Sequence, residues 1–423
     1  MYRLLSLFGL FAFLAICWAI SKKRSAVKWQ TIVVGLVVQF GFGLLFLSWD
    51  WGRSLLDKTG NGVKSFLDMS LAGSEFLFGF MAKQDVVLEH LKGLPPDVVK
   101  GGFLFAFQVL PTIIFFSAFM AVIYHLGIMS LIVKGIAWCM VRTMKTSGSE
   151  SLSVASNIFV GQTEAPLLVR PFLARMTQSE LMAVMTGGFA TIAGGVFALY
   201  AGFGVDPGHL LVASVMSAPA ALVVAKLLVP ETEESETYGT VRVNLEKTSS
   251  NVVEAAATGA TDGLSLALNV AAMLIAFLSL IAVANWALEG LSSLFDLATP
   301  LSLQRILGWI FAPFAFLLGV EWKDIVPVGE LLGYKIAVTE LVAYQQLTSE
   351  SMQATLSTRS TAIATYALCG FANFASIAIQ IGGIAALVPE RRSDLAKLGV
   401  RAMFGGAIAS WMTACVAGVL LDF

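Results

Sequence analysis

The stretch "NIFVGQTEAPLLVRPF", from Asn157 to Phe172, sets a carboxylate (Glu164) beside an amide (Gln162) and a proline (Pro166) within an otherwise apolar run. The chain has 423 residues, of which 57% are hydrophobic and only 13% charged, and its mean hydropathy is +0.80. Soluble domains carry about 25% charged residues, so this composition belongs to an integral membrane protein. A proline costs nothing in the first turn of a helix, where its missing N–H is not needed. "GQTEAP" therefore reads as a polar, unwound point between two half-helices. Such irregular backbone is tolerated at membrane depth only where it is buried in protein or lines a cavity.

Outward from that point, apolar stretches near 4–20, 31–49, 103–130, 180–203, 207–229, 262–289, 360–388 and 402–421 meet or approach the ~20 residues that span a bilayer. They predict an all-α polytopic membrane protein with eight transmembrane helices. The first stretch has only Arg3 before it, whereas Lys22, Lys23 and Arg24 follow. A signal peptide carries its charge in front, so 4–20 reads as a retained helix with a cytoplasmic C-terminal end. Alternation then puts Lys28 with that basic cluster in the cytoplasm, joined by Arg391, Arg392, Lys397 and Arg401, and leaves both termini outside. Residues 54–100 mix charge and apolar residues, as an interfacial helix followed by an external loop would. Residues 303–319 are interrupted by Pro313 and are assigned to the interface. The segments 148–178 and 322–352 hold apolar pieces of half a bilayer around a polar tip, which suits two re-entrant hairpins.

The order of parts repeats. "FQVLPTIIFFSAF" (Phe107–Phe119), "GQTEAP" (Gly161–Pro166) and "GGFATIAGG" (Gly187–Gly195) are matched by "LNVAAMLIAF" (Leu268–Phe277), "VTELVAY" (Val338–Tyr344) and "CGFANFASIA" (Cys369–Ala378). The orientation scheme places the first hairpin on the cytoplasmic side and the second outside. Inverted repeats with broken helices that meet near the midplane are a signature of secondary transporters. The expected organisation is N-terminal scaffold helices over 1–102, a first repeat over 103–229, a polar linker over 230–261 and a second repeat over 262–423, with two unwound helices.

Candidate site residues follow from charge in the wrong solvent. An acid at bilayer depth costs about 2.5–3.5 kcal/mol on insertion scales and usually marks a pathway, which singles out Glu164 and Glu340. Either one would also be explained by snorkelling at an interface. Gln162 and Asn373 each offer donor and acceptor, the equipment for an amide-like edge or a hydroxyl, or for an interhelical bond. Asn373 and Ser376 share a helix face, and with Glu340 they would suit vicinal hydroxyls. Phe371, on another face, reads as ordinary packing when taken alone. Asn157 and Thr191, with carbonyls freed by unwinding, would make an oxygen cage for a monovalent cation, while Asn157 would serve equally as a half-helix cap.

Several classes are excluded or disfavoured. A net charge of −1 argues against nucleic acid. Cys17, Cys139, Cys369 and Cys415 are scattered, without disulfide or metal spacing. His90, His125 and His209 are far apart, and no HExxH, Walker or GxSxG motif is present, so the chain reads as no enzyme.

On "NIFVGQTEAPLLVRPF", "GGFATIAGGV", "ELVAY" and "CGFANFASI", the sequence resembles the concentrative nucleoside transporter family over nearly its whole length. The resemblance implies a homotrimer in which a scaffold supports a mobile domain of two hairpins and two unwound helices. It implies nucleoside import, for example of uridine, driven by sodium or in some members by protons, with no organic cofactor. Carried over by position, Gln162, Thr163 and Glu164 would face the nucleobase, with Val196, Leu266 and Phe371 lining it. Glu340, Asn373 and Ser376 would hold the ribose hydroxyls. Asn157, Val160, Thr191 and Ile192 would hold sodium, the last three through carbonyls and Thr191 also through its hydroxyl. Asn157 favours sodium over protons, because proton-coupled members tend to lack it. The family often reads Asn-Glu-Phe where this chain has Thr339-Glu340-Leu341, and Phe-Ser-Ser where it has Phe374-Ala375-Ser376; both changes leave the ribose positions in place and leave base preference open. The resulting expectation is a sodium-coupled importer in a bacterial inner membrane with periplasmic termini. A proton-coupled importer is the nearest alternative, and a channel or pore is the alternative from another class.

Overall fold

The computed structural model describes residues 1–92, 104–239, 249–294 and 300–421. The end of the expected external loop (93–100), the boundary at 102–103 and residues 240–248 of the expected linker lie outside the described residues. Among the described residues there is no strand, only one isolated bridge between Ser147 and Tyr238.

Two N-terminal helices, α1 (Tyr2–Ala19) and α2 (Trp29–Gly43, continued by a π turn over Leu44–Ser48), lead to the amphipathic α3 (Asp50–Asp68). The first repeat comprises α4 (Leu110–His125), α5 (Ile128–Met144), a hairpin whose first arm is α6 (Gly148–Ser156), a helix broken into α7 (Gln178–Ala190) and α8 (Gly194–Gly202), and α9 (Pro207–Leu228). The second repeats this order with α10 (Val252–Leu294), α11 (Leu303–Leu318), a hairpin of α12 (Ile325–Ala337) and α13 (Glu340–Leu347), a helix broken into α14 (Thr358–Leu368) and α15 (Phe374–Leu387), and α16 (Arg392–Leu420). Seven described helices are long and apolar enough to cross a membrane. The eighth expected span, 360–388, is the second broken helix, whose halves of 11 and 14 residues are each too short alone.

The hairpins enter from opposite ends. At one end Lys22, just past α1, donates its N–H to the Leu228 carbonyl (2.9 Å), and Arg391, just before α16, donates to the Ala174 and Met176 carbonyls at the base of the first hairpin (2.9 and 2.7 Å). At the other end the base of the second hairpin meets the opposite ends of the same helices. There the Trp322 N–H donates to the Tyr2 hydroxyl (3.4 Å), and Arg359 donates to the Gly418 carbonyl (2.8 Å). The 18 residues of α1 separate these ends by about 27 Å at 1.5 Å per residue.

Local chemistry explains the starts. Capping boxes open α6 (Ser147 with Glu150) and α7 (Thr177 with Glu180), satisfying N–H groups that a helix start leaves free. Both acids are buried at the first hairpin's base. Lys226 reaches Glu150 at 2.6 Å, and Ser149 and Ser235 donate to Glu180 at 3.1 and 2.6 Å. The polar linker thus begins as a strap across that base.

The structure departs from the sequence reading in four places. Residues 131–147, unassigned between a span and a hairpin, are mostly the helix α5, and the span 103–130 stops at His125 because Gly127 is left-handed (φ +79°). Lys134 and Arg142 had hidden the amphipathic pattern that buries Met129, Val133, Ala137, Met140 and Met144. A short helix over Gln84–His90 occupies part of the expected external loop. The helix α10 starts at Val252 rather than 262, its first turns held by close packing on α4: a Cβ on Gly259 would meet the Ser117 carbonyl at 2.7 Å, and one on Gly263 would meet Ile114 Cα at 2.8 Å. Pro313 does not end α11, which runs through it and packs along α12. The close approach needs glycine: a Cβ on Gly329 would meet the Gly308 carbonyl at 2.6 Å, and one on Gly333 would meet Leu307 at 2.5 Å.

Candidate functional site

Both hairpin tips and both helix breaks converge. Break one covers Thr191–Ala193, and break two covers Cys369–Asn373. The Phe371 N–H donates to the Thr191 carbonyl (3.3 Å), so the breaks lie directly on each other. Gly370 makes this crossing possible. Its φ is +129°, and a Cβ there would stand 2.6 Å from the Phe189 carbonyl. The first tip joins through the Gly194 N–H, which donates to the Phe159 carbonyl (3.2 Å).

The second tip supplies Glu340, which opens α13 behind the Thr339 cap and is 5% exposed. Its two oxygens take different donors: the Tyr200 hydroxyl at 3.1 Å and the Asn373 amide at 2.7 Å. Tyr200 comes from α8 in the first repeat and Asn373 from the second break, so one carboxylate ties the two repeats together. Asn373 also caps α15, its oxygen accepting from the Ser376 N–H at 2.8 Å. The sequence grouping of Glu340, Asn373 and Ser376 is thus a spatial one, all three buried.

The first tip is less closed. Gln162 is buried and packs against Gly188, and Thr163 packs against Gly383 of α15. Glu164 is exposed; its carboxylate folds over Gly161, beside Ala193 at the first break, and among the described residues no bond joins it to Glu340. Val196 is buried, Leu266 is half-buried with its methyl against Gly195, and Phe371 is half-buried at the crossing. Asn157 is 1% exposed, and its amide N–H donates to the Ser153 carbonyl (3.0 Å) while its Oδ1 has no hydrogen-bond partner. The Thr191 hydroxyl donates to the Gly187 carbonyl (2.9 Å), which leaves its lone pairs free to accept; Ile192 is buried beside it, and Val160 is half-buried at the tip. A buried carbonyl-type oxygen without a donor is costly unless a cation or water completes it, so this donor set fits a hard monovalent ion. An apolar cavity of about 440 Å³ reaches the same segment at Phe159, Ile192 and Gly194.

Comparison with known proteins identifies the family and the fold. Sequence models of the Na+ dependent nucleoside transporter N-terminus and C-terminus match residues 8–81 and 209–418, and a nucleoside recognition "Gate" model matches 106–207. The solved structure of CNTnw in an inward-facing substrate-bound state is 40% identical and superposes with TM-score 0.91, covering 99% of this chain and 98% of that one. The chain belongs to the concentrative nucleoside transporter family. A doubly substituted variant of CNTnw in an outward-facing state gives TM-score 0.92 at the same identity. Sodium/nucleoside cotransporter 1 of Oryctolagus cuniculus is 44% identical over 432 residues, and that of Homo sapiens is 43% identical over 440. This chain spans 63% and 64% of those two relatives' length. The family comprises membrane transporters, not enzymes.

Four residues of this core escaped the sequence reading. Tyr200 touches Glu340 directly, and Tyr344 packs tilted against Tyr200 with ring centroids 4.3 Å apart. Gln380, fully buried, packs with Gln162 against Gly188, donates to the Met185 carbonyl (3.1 Å) and leaves its oxygen without a partner. Lys335, fully buried, donates to the Ala367 carbonyl (2.8 Å). Two of these had a signal. Gln380 continues the 373, 376 face by one turn, and Lys335 is a charge in an apolar arm.

Proposed function

We propose that this chain is a sodium-coupled symporter that imports nucleosides by alternating access, working as a homotrimer in a bacterial inner membrane with both termini in the periplasm. The observation that carries the reading is the Glu340–Asn373 bond at the crossing of the two broken helices. A buried carboxylate whose two oxygens already hold two separate donors is matched in geometry to the two hydroxyls of a ribose. Glu340, Asn373 and Ser376 hold the sugar. Gln162, Thr163 and Glu164 meet the base from the more open tip, with Val196, Leu266 and Phe371 as its apolar walls. Sodium binds between Asn157 and the carbonyls of Val160, Thr191 and Ile192, the Thr191 hydroxyl adding a further oxygen. Because the Thr191 carbonyl also accepts from Phe371, an ion there orders the break on which the sugar ligands rest. The coupling is reciprocal, so bound nucleoside tightens sodium by the same factor.

Radiolabelled uridine uptake into proteoliposomes tests this. A sodium gradient should drive accumulation above the external concentration. Accumulation driven by a proton gradient and indifferent to sodium would replace sodium with protons in the scheme. Uptake that only equilibrates would point to a channel instead.

A further inference from the structure

Lys335 sits in the first arm of the second hairpin, and none of its surface is exposed. A buried ammonium is unfavourable unless something compensates its lost hydration. Its hydrogen-bond partner is the Ala367 carbonyl at 2.8 Å, in the last turn of α14, where the second helix breaks. The final carbonyls of a helix lack intrahelical donors and carry negative partial charge, so they attract a cation. The neighbouring carbonyls are claimed as well: Tyr344 donates to Thr365 at 2.7 Å and Ser410 to Cys369. Glu340 follows Lys335 by five residues along the same hairpin.

The first repeat lacks this arrangement. Its hairpin arm and tip, "GSESLSVASNIFVGQTE", contain no lysine or arginine. Among the described residues no ammonium or hydroxyl from another element reaches the carbonyls of Gly187 to Ala190, the last turn of α7. The donor there is the neighbouring Thr191 hydroxyl, and Asn157 Oδ1 and Gln162 Oε1 are without partners. The matched repeats make Met185 the counterpart of Ala367, and its carbonyl takes the neutral Gln380 amide (3.1 Å). One helix break is held by a cationic side chain, its pseudo-symmetric partner by a neutral one beside two side-chain oxygens with no donor.

We propose that Lys335 is a tethered cation. At the second break its ammonium takes the place that a dissolved sodium ion takes at the first, and it pins the end of α14 so that Asn373 and Glu340 are held ready for substrate without a second ion. The comparison with sodium rests on the proposed function, but the pinning of α14 does not.

The experiment uses the full-length protein in nanodiscs as the unmodified chain, K335M and K335A, with sodium replaced by choline where needed. Hydrogen exchange supplies a readout independent of any ligand. In K335M the amides of 369–373 should exchange at least tenfold faster, while those of 191–194 stay unchanged. Unchanged exchange at 369–373 overturns the proposal even if the chain binds no nucleoside. In K335A, ethylammonium should restore slow exchange and, where the unmodified protein binds uridine, should recover most of an affinity loss of at least tenfold. A loss that ethylammonium does not repair reduces Lys335 to a structural peg and overturns the tethered-cation role. Should K335A fail to fold, K335M is decided by its sodium titration. Raised sodium should recover uridine affinity along a steeper curve than in the unmodified protein, and an equally steep curve overturns the proposal.

Discussion

The two helix breaks have the same backbone layout and opposite hydrogen-bond economies. At the second, Lys335, Tyr344 and Ser410 claim the carbonyls of the unwound end, and Asn373 both caps the next half-helix and binds Glu340. At the first, Asn157 and Gln162 keep oxygens without donors, and Glu164 remains exposed. Duplicated architecture therefore does not mean duplicated chemistry. On the proposed function, the self-satisfied break is the rigid cradle for one part of a substrate. The incomplete break has side-chain oxygens still to be satisfied, and on the proposed function an ion from solution satisfies them and is thereby coupled to the cargo.

The comparison breaks or sharpens most strongly at Glu340. Glu340→Gln keeps the volume and removes the charge-assisted bonds, each worth about 1.5–3 kcal/mol. Uridine affinity should fall by about a hundredfold or more in isothermal titration, with the protein still monodisperse on size exclusion. Affinity within a factor of three of the unmodified protein would remove Glu340 from the sugar site.

Gly370→Ala attacks the crossing itself. A left-handed backbone plus a contact with the Phe189 carbonyl should cost about 1–3 kcal/mol. Thermal unfolding monitored by tryptophan fluorescence should drop by several degrees, and an unaltered midpoint would mean that the breaks do not bear on each other. Asn157→Ala touches only the incomplete break. Half-saturating sodium should rise about tenfold, equivalent to ~1.4 kcal/mol, while uridine binding at saturating sodium stays the same. A uniform loss of uridine binding at every sodium concentration would assign Asn157 a capping role instead. The smallest effect is expected for Tyr200→Phe. Losing one hydrogen bond of about 1 kcal/mol should weaken uridine roughly fivefold and leave the sodium midpoint in place. A shifted sodium midpoint would show that Glu340 and the cation site communicate through Tyr200.

Much of this was legible because polarity inside an apolar chain is a local, conspicuous signal. Thr163-Glu164 and Thr339-Glu340 stand out within their hairpins, and Asn373 and Ser376 stand out on one helix face. The helix α5 was lost because Lys134 and Arg142 dilute its hydropathy, and α11 was demoted on a proline that the helix tolerates. Tyr200 gave no signal at all, since an aromatic four residues after Val196 in an apolar helix looks like any core residue until Glu340, 140 positions later, is seen beneath its hydroxyl.

By itself the sequence determined the all-α membrane class, seven of the apolar spans, the two hairpins, their shared order and the residue types at each tip, because burial in lipid penalises every misplaced polar group locally. Which oxygen meets which donor was decided only by tertiary structure. Hydrogen bonds such as Tyr200 to Glu340 or Lys335 to Ala367 join segments distant along the chain. Their formation depends on how the two broken helices cross, a relation that composition and periodicity do not encode.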